Sequence, residues 1–117
     1  MAKSNEAFWW SLFSAGGVLA ALFIAGFVAA TGFLLPTDEA AAAADRYHQI
    51  HGTVGWWPVR IVMFTVIFLS LFHCAHRLRH TLMDVGFRHL ARILMVVCYG
   101  GALAGTIVAG YLLVTFA

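Results

Sequence analysis

Histidine and arginine side chains recur on one face of a largely apolar segment between residues 71 and 80. His73, His76 and His80 are three and four residues apart, and Arg77 follows His76 directly. A helix brings residues at this spacing onto a common face. Histidine exchanges protons near neutral pH and its ring N–H groups donate hydrogen bonds, whereas arginine carries a permanent charge. Ionisable groups in an apolar helix are costly and usually face a bundle interior or a cavity, so this segment is where chemistry is expected.

Three interpretations fit these residue types. In the first, the cationic residues only flank a membrane helix and extend to the interface. The arginines concerned are Arg77, Arg79, Arg88 and Arg92. In the second, a histidine binds a metal or haem, and His73 is the best candidate because it lies deepest, although no opposite ligand is evident. In the third, the cluster binds a quinone, which needs apolar walls, a donor for each carbonyl and a route for protons to water. The residue types alone leave all three open.

The composition decides the class of protein. Of 117 residues, 62% are hydrophobic and 10% are charged, whereas a soluble domain has about 25% charged residues. Ordinary soluble enzymes, nucleic-acid-binding modules and disordered tails are therefore excluded, and a net charge of +2 is too small for a polyanionic partner. Cys74 and Cys98 lie far apart in apolar runs and are expected to be free packing residues. The chain is expected to be a small integral membrane protein.

Hydropathy predicts an all-α membrane protein with three transmembrane helices, at about residues 12–35, 59–80 and 93–116. An outer loop at 36–58, partly helical, and a cytoplasmic loop at 81–92 connect them. The first and third runs each hold 24 uncharged residues, enough to cross a hydrocarbon core of about 30 Å. Pro58 is expected near the start of the second helix and Gly86 at its end. The first run is too long for the apolar part of a signal peptide, so we expect it to be retained.

The distribution of basic residues predicts the orientation. The N-terminus, the end of the second span and the second loop share one side and carry five of them, against two on the other side, so the N-terminus is predicted in the cytoplasm and the C-terminus outside. The five are Lys3, Arg77, Arg79, Arg88 and Arg92; the two are Arg46 and Arg60, which lie near Asp38, Glu39 and Asp45. The chain rises about 23 Å from Ile61 to His76, which places His76 near the cytoplasmic edge of the membrane. Trp10 and Phe13 begin the first helix on that side, at about the same depth.

Several segments carry motifs that resemble those of one known membrane-protein family. Phe8–Trp9–Trp10–Ser11–Leu12–Phe13–Ser14–Ala15–Gly16–Gly17 is similar to that family's N-terminal motif, an aromatic pair followed by Leu-Phe-x-Ala-Gly-Gly. The stretch from Leu71 to Asp84 resembles its His-Arg-x-x-His segment at the end of the second helix. Cys98–Tyr99–Gly100 and the third helix, rich in glycine and alanine, also fit. Together these segments resemble the D subunit of bacterial fumarate reductase, a membrane anchor, and the resemblance covers nearly the whole chain.

The resemblance implies a non-catalytic anchor in a bacterial cell membrane. With a second membrane anchor, the C subunit, it would attach a flavoprotein and an iron–sulphur subunit and help to bind menaquinol, whose electrons reduce fumarate. FAD and the iron–sulphur clusters would lie in those partner subunits, and no haem or metal is expected in this chain. The implied quinol-binding residues are Trp10, His76 and Arg77, and Phe13 joins them by its depth. Trp9 would take the role of Trp10 if the start of the first helix shifts, and otherwise Trp9, His73 and His80 are expected to lie around the site.

Other functions also fit the sequence at this point. The same architecture serves as the anchor of a succinate dehydrogenase, in which electrons flow in the opposite direction. A cytochrome b subunit would use His73 or His80 to bind haem. A purely structural membrane protein would use the histidines only for helix packing. No nucleophile–base pair, phosphate-binding loop or metal-ligand set is evident in the sequence, so catalysis by this chain alone is not expected.

Overall fold

The computed structural model describes residues 5–34 and 40–115, which form helices joined by short turns. Helix α1 spans Glu6–Ala29 and continues as a π-helical turn over Ala30–Leu34. Helix α2 spans Ala40–Gly55, α3 spans Trp57–Val85 and α4 spans Ala91–Thr115, with a 3₁₀ turn at Phe87–Leu90. Lys3, Asp38 and Glu39, which contributed to the predicted orientation, lie outside the described residues, as do residues 35 and 116 at the predicted span ends.

Three of the helical segments are long and apolar enough to cross a membrane: Glu6–Phe33, Trp57–Val85 and Phe87–Thr115, of 28, 29 and 29 residues. The all-helical, three-span prediction is therefore confirmed. The helices extend beyond the uncharged runs, because backbone hydrogen bonding continues into the polar flanks after the apolar stretch has ended. Helix α2 occupies most of the predicted outer loop, which agrees with the expectation that this loop is partly helical.

The ends of α3 follow from two residues. Pro58 lies in its first turn, where a proline is tolerated because the N–H that it lacks would have no partner within the helix. Gly86 ends the helix with φ of 125°, a conformation that side chains strongly disfavour. The Gly86 N–H donates to the carbonyl groups of Leu82 and Met83. Both predicted boundaries are confirmed, and the sharp stop brings α4 back alongside α3.

Helix α3 is the centre of the fold. Both α1 and α4 pack against it, whereas within the described residues the backbones of α1 and α4 do not approach each other closely. The buried residues at these contacts are all small: Gly16, Ala75, Ala102 and Thr106. The Thr106 hydroxyl donates to the carbonyl of Ala102 at 2.8 Å, so this buried polar group is satisfied within its own helix.

Glycines allow the close approach of the helices. A Cβ on Gly16 would lie 2.6 Å from the carbonyl oxygen of Leu69, and one on Gly105 would lie 3.1 Å from Leu71 Cδ1. Some of the small residues on α1 and α4 therefore lie at helix contacts. Other positions on the same helices have nothing within 4 Å: Gly26, Gly32, Gly100 and Gly101.

Most of the large apolar side chains in the described residues are exposed, including Phe27 at 70% and Leu22 at 66%. A surface of this kind is stable only when lipid or another membrane protein covers it. Cys74 and Cys98 are both free, but Cys74 is exposed and is not the packing residue that was expected, whereas Cys98 is half-buried.

Candidate functional site

The His76 side chain lies against two aromatic residues of α1. Its imidazole stacks on the Phe13 ring with centroids 4.7 Å apart and an angle of 20° between the planes. The Trp10 indole meets it edge-on, with centroids 5.7 Å apart at 84°. Stacked and edge-on arrangements are both favourable for aromatic rings. The structure therefore brings together three of the four residues expected at the site, Trp10, Phe13 and His76.

Helix α4 contributes a tyrosine that the sequence analysis did not select. The Tyr99 hydroxyl lies 2.9 Å from Nδ1 of His76, and both side chains are half-buried. Tyr99 had been noted only within the Cys98–Tyr99–Gly100 resemblance. Its residue type could have identified it from the sequence. Tyr99 is a hydrogen-bonding side chain among apolar and small residues, in a segment that must pack close to α3. His76 therefore receives a contact from α1 on its ring face and from α4 on a ring nitrogen.

His73 connects α3 to α1 one turn earlier. Its Nδ1–H donates to the backbone carbonyl of Phe13 at 2.5 Å, and the carbonyl can only accept, which identifies the protonated nitrogen. A Cβ on Gly17 would lie 2.6 Å from Cε1 and 2.8 Å from Nε2 of this ring. The imidazole edge that carries Nε2 is thus packed against the backbone of α1. His73 acts here as a link between helices.

The other polar residues of this part of α3 differ in their contacts with His76. The His80 ring is tilted against it, with centroids 4.5 Å apart. Arg77 is exposed, and it makes no hydrogen bond or ion pair with the part of the chain that the structure describes. Arg79 is half-buried, and its Nε lacks a hydrogen-bond partner among the described residues. Arg77 is therefore the one expected site residue that the structure does not bring against the aromatic cluster.

An apolar hollow of about 370 Å³ opens between α1, α3 and α4. It is lined by Trp9, Leu12, Phe13, Phe68, Leu69, Phe72 and Tyr99. Phe13 and Tyr99 are the two lining residues that also contact His76, so the hollow adjoins the imidazole. The two neighbouring indoles are separated by this arrangement: Trp9 lines the hollow, and Trp10 contacts His76.

The described residues include no group of three or more His, Cys, Asp or Glu side chains that could hold a metal ion. What the cluster offers instead is aromatic surface, ring N–H groups and an adjacent apolar space. These are features that bind a flat, mostly apolar molecule with a few polar atoms. The cationic side chains of Arg77 and Arg79 lie within one turn of His76 along α3.

Comparison with known proteins identifies the family. The family model for the fumarate reductase D subunit matches residues 1–114. A fumarate reductase D subunit of Mycobacterium tuberculosis (strain ATCC 25618 / H37Rv) is 35% identical over 115 residues, which cover 97% of this chain and 90% of the relative. The corresponding protein of Shewanella sp. (strain W3-18-1) is 35% identical over 109 residues, covering 92% and 88%.

The D subunit of Photobacterium profundum is 29% identical over 100 residues, which cover 86% of this chain and 82% of the relative. No solved structure matches the chain significantly. The family match extends over nearly the whole chain, and it agrees with the three helices capable of spanning a membrane. The chain therefore belongs to the family of fumarate reductase D subunits, whose members are membrane anchors and not the catalytic subunit.

Proposed function

We propose that this chain anchors the flavoprotein and iron–sulphur subunits of a fumarate reductase to a bacterial cell membrane and helps to bind menaquinol. The single observation that carries the quinol-binding part is the packing of His76 against Phe13 and Trp10 beside an apolar hollow. The anchor part rests on the family match and on the three apolar helices.

The chemistry of a quinol matches this cluster. A naphthoquinol has a flat aromatic head, two hydroxyl groups and an apolar tail. The hollow supplies apolar walls, and the indole N–H of Trp10 and the imidazole of His76 supply groups that hydrogen-bond to oxygen. Oxidation releases two electrons and two protons. In our proposal the electrons pass to an iron–sulphur cluster in the partner subunit, and His76 accepts the two protons one after the other and passes each towards water.

Arg77 has a different role in this proposal. Its guanidinium is exposed and unpaired within the described residues, so it is available to a group outside this chain. A permanent positive charge stabilises the negative charge that develops on a quinol oxygen as it loses a proton. We therefore assign Arg77 to the side of the site where the iron–sulphur subunit would dock.

The geometry of His73 disfavours haem ligation at that residue. Its Nδ1–H is used by the Phe13 carbonyl, and the ring edge that carries Nε2 packs against Gly17 on α1. A haem iron would have to approach Nε2 through the helix backbone. The imidazole is thus better suited to hold two helices together than to bind a porphyrin.

The partners follow from the exposed surface and from the charge distribution. In our proposal the N-terminus and the turn at Phe87–Leu90 face the cytoplasm, where the two hydrophilic subunits dock. The open glycine positions of α4, Gly100 and Gly101, lie on a face that a second membrane anchor could approach closely. Lipid would cover the rest of the apolar surface.

Two substitutions test quinol binding in the assembled complex. His76→Ala and Arg77→Ala should each lower quinol-supported fumarate reduction at least about tenfold, the effect of losing roughly 1.4 kcal/mol of transition-state binding. Fumarate reduction with a soluble artificial electron donor should stay unchanged, because that route bypasses the membrane subunits. His48→Ala is the matched control, since His48 is exposed on α2. Full quinol activity in both variants, or equal loss of both activities, would rule out the quinol role.

Membership of a complex is tested separately by affinity purification of this chain from mildly solubilised membranes. We expect a flavin-containing polypeptide, an iron–sulphur polypeptide and a second small membrane protein to co-purify. Purification of this chain alone, from membranes that contain active fumarate reductase, would contradict the proposal.

A further inference from the structure

Tyr99 is the contact through which α4 reaches the imidazole of His76. The tyrosine hydroxyl is 2.9 Å from Nδ1, and the two residues are 23 positions apart in the chain. Within the described residues the backbones of α1 and α4 do not approach each other closely, so the aromatic packing and this hydrogen bond reach one ring from two different helices.

We propose that Tyr99 is a positioning residue of the quinol site, one that holds Nδ1 of His76 and so leaves Nε2 to face the quinol oxygen. This inference rests on the proposed quinol-binding function. It assigns a role to a residue of α4, whereas the residues implied by the family resemblance all lie on α1 and α3.

The need for such a residue follows from the symmetry of the imidazole ring. Stacking on Phe13 fixes the plane of the ring but not which edge points in a given direction, because a half-turn about Cβ–Cγ leaves the stacked face covered. That half-turn exchanges the position of Nδ1 with Cδ2 and the position of Nε2 with Cε1. A quinol oxygen would then meet a C–H group in place of a ring nitrogen. A hydrogen bond to Nδ1 selects one of the two orientations.

A tyrosine hydroxyl is suited to this role because it can both donate and accept. It donates to Nδ1 when Nε2 carries the ring proton, and it accepts from Nδ1–H when Nε2 is free to take a proton. The same contact thus persists while His76 changes its protonation state. A phenylalanine at this position would keep the ring that lines the hollow and would lose only this hydrogen bond.

The test compares Tyr99→Phe with Tyr111→Phe in the membrane-bound complex, using a short-chain naphthoquinol as donor. Tyr111 is on the same helix and is 67% exposed, so it is a matched control. We expect Tyr99→Phe to lower kcat/KM for the naphthoquinol about tenfold, the effect of losing one hydrogen bond worth roughly 1.4 kcal/mol. We expect unchanged activity with a soluble artificial donor, and Tyr111→Phe should match the wild type in both assays.

A double variant separates positioning from general packing. If Tyr99 acts through His76, adding Tyr99→Phe to His76→Ala should cause no further loss of quinol activity. If the activity losses of the two single variants multiply in the double variant, the positioning role is overturned. A Tyr99→Phe variant that loses activity with both donors would also overturn it.

The same set of variants distinguishes failure of this inference from failure of the proposed function. Normal quinol kinetics in Tyr99→Phe together with impaired His76→Ala would overturn the role of Tyr99 and leave quinol binding intact. Normal quinol kinetics in His76→Ala would overturn both.

Discussion

The Nδ1–H of His73 on α3 donates to the backbone carbonyl of Phe13 on α1, and the ring of that same Phe13 stacks on His76 one turn further along α3. This hydrogen bond therefore helps to determine where α1 sits relative to the imidazole that we propose binds the quinol. The carbonyl is also part of the helical backbone, so the link acts on the helix itself and not on a mobile side chain. In our proposal His73 holds α1 against α3 beside the site and does not itself face the ligand.

Replacing His73 should loosen this link. His73→Leu replaces the imidazole with an apolar side chain of similar size and removes the Nδ1–H donor. Loss of an interhelical hydrogen bond in a membrane protein costs about 1 kcal/mol. We expect the complex to lose quinol-supported activity at a lower temperature, with partial loss of that activity before heating. The measurement is the midpoint temperature of inactivation after brief heating. His48→Leu on the exposed face of α2 is the control, and equal midpoints for the two variants would contradict the linking role.

Substitution of Gly17 by a residue with a side chain should destabilise the protein, whereas the same substitution at Gly26 on the same helix should be tolerated. A Cβ at Gly17 would lie 2.6 Å from Cε1 of His73, so the ring must move and its bond to Phe13 is strained or broken. Overpacking of this kind costs about 1–3 kcal/mol. Gly26 has nothing within 4 Å, so Gly26→Ala changes only helix propensity, in the favourable direction. Thermal inactivation of the two alanine variants measures the difference, and a Gly17→Ala complex as stable as the Gly26→Ala complex would show that His73 does not pack as described.

The two adjacent indoles should differ in function. Trp10 contacts the His76 ring, whereas Trp9 lines the apolar hollow, so only Trp10→Phe removes an N–H group next to the imidazole. We expect Trp10→Phe to reduce kcat/KM for a naphthoquinol about tenfold, as for one lost hydrogen bond. Trp9→Phe leaves the wall of the hollow aromatic and should have a smaller effect. Steady-state kinetics with quinol and with a soluble donor provide the comparison. A larger quinol-specific defect in Trp9→Phe would reverse this assignment.

The sequence predicted the parts of this structure that depend on local pattern. Apolar run lengths predicted the three spans, and Pro58 and Gly86 predicted the ends of α3, because each acts through its own backbone geometry. Helix spacing and membrane depth predicted that Trp10 and Phe13 lie level with His76. No contact between distant residues was needed for any of these predictions.

Other parts depend on how the helices pack, and the sequence carries no local signal for them. The acceptor for His73 is a backbone carbonyl, and every residue has one, so the partner could not be read from residue types. The Tyr99 contact depends on the vertical offset between α3 and α4, which close contacts such as Gly105 against Leu71 help to set. Gly17 appeared in the sequence only as part of the Phe8–Gly17 motif, whereas in the structure it accommodates the His73 ring.

The proposed orientation can be tested with single cysteines at the two ends of α3. This helix has 29 residues and a length of about 43 Å, so α2 and the turn at Phe87–Leu90 lie on opposite sides of a core about 30 Å thick. Gln49 on α2 and Arg88 in the turn are both exposed, which makes Gln49→Cys and Arg88→Cys accessible to a thiol reagent. Cys74 and Cys98 are first replaced by alanine, because both are free and would react.

With a membrane-impermeant maleimide added to intact cells, we expect Gln49→Cys to be labelled and Arg88→Cys to be protected. Inside-out vesicles should give the opposite pattern. The physical reason is that basic residues flanking a span are retained on the cytoplasmic side, and Arg77, Arg79, Arg88 and Arg92 cluster around this turn. Labelling of Arg88→Cys in intact cells would show that the orientation is the opposite of the one proposed. It would also place His76 at the outer edge of the membrane, away from a cytoplasmic iron–sulphur subunit, so the quinol site and the docking side would then have to be reassigned together.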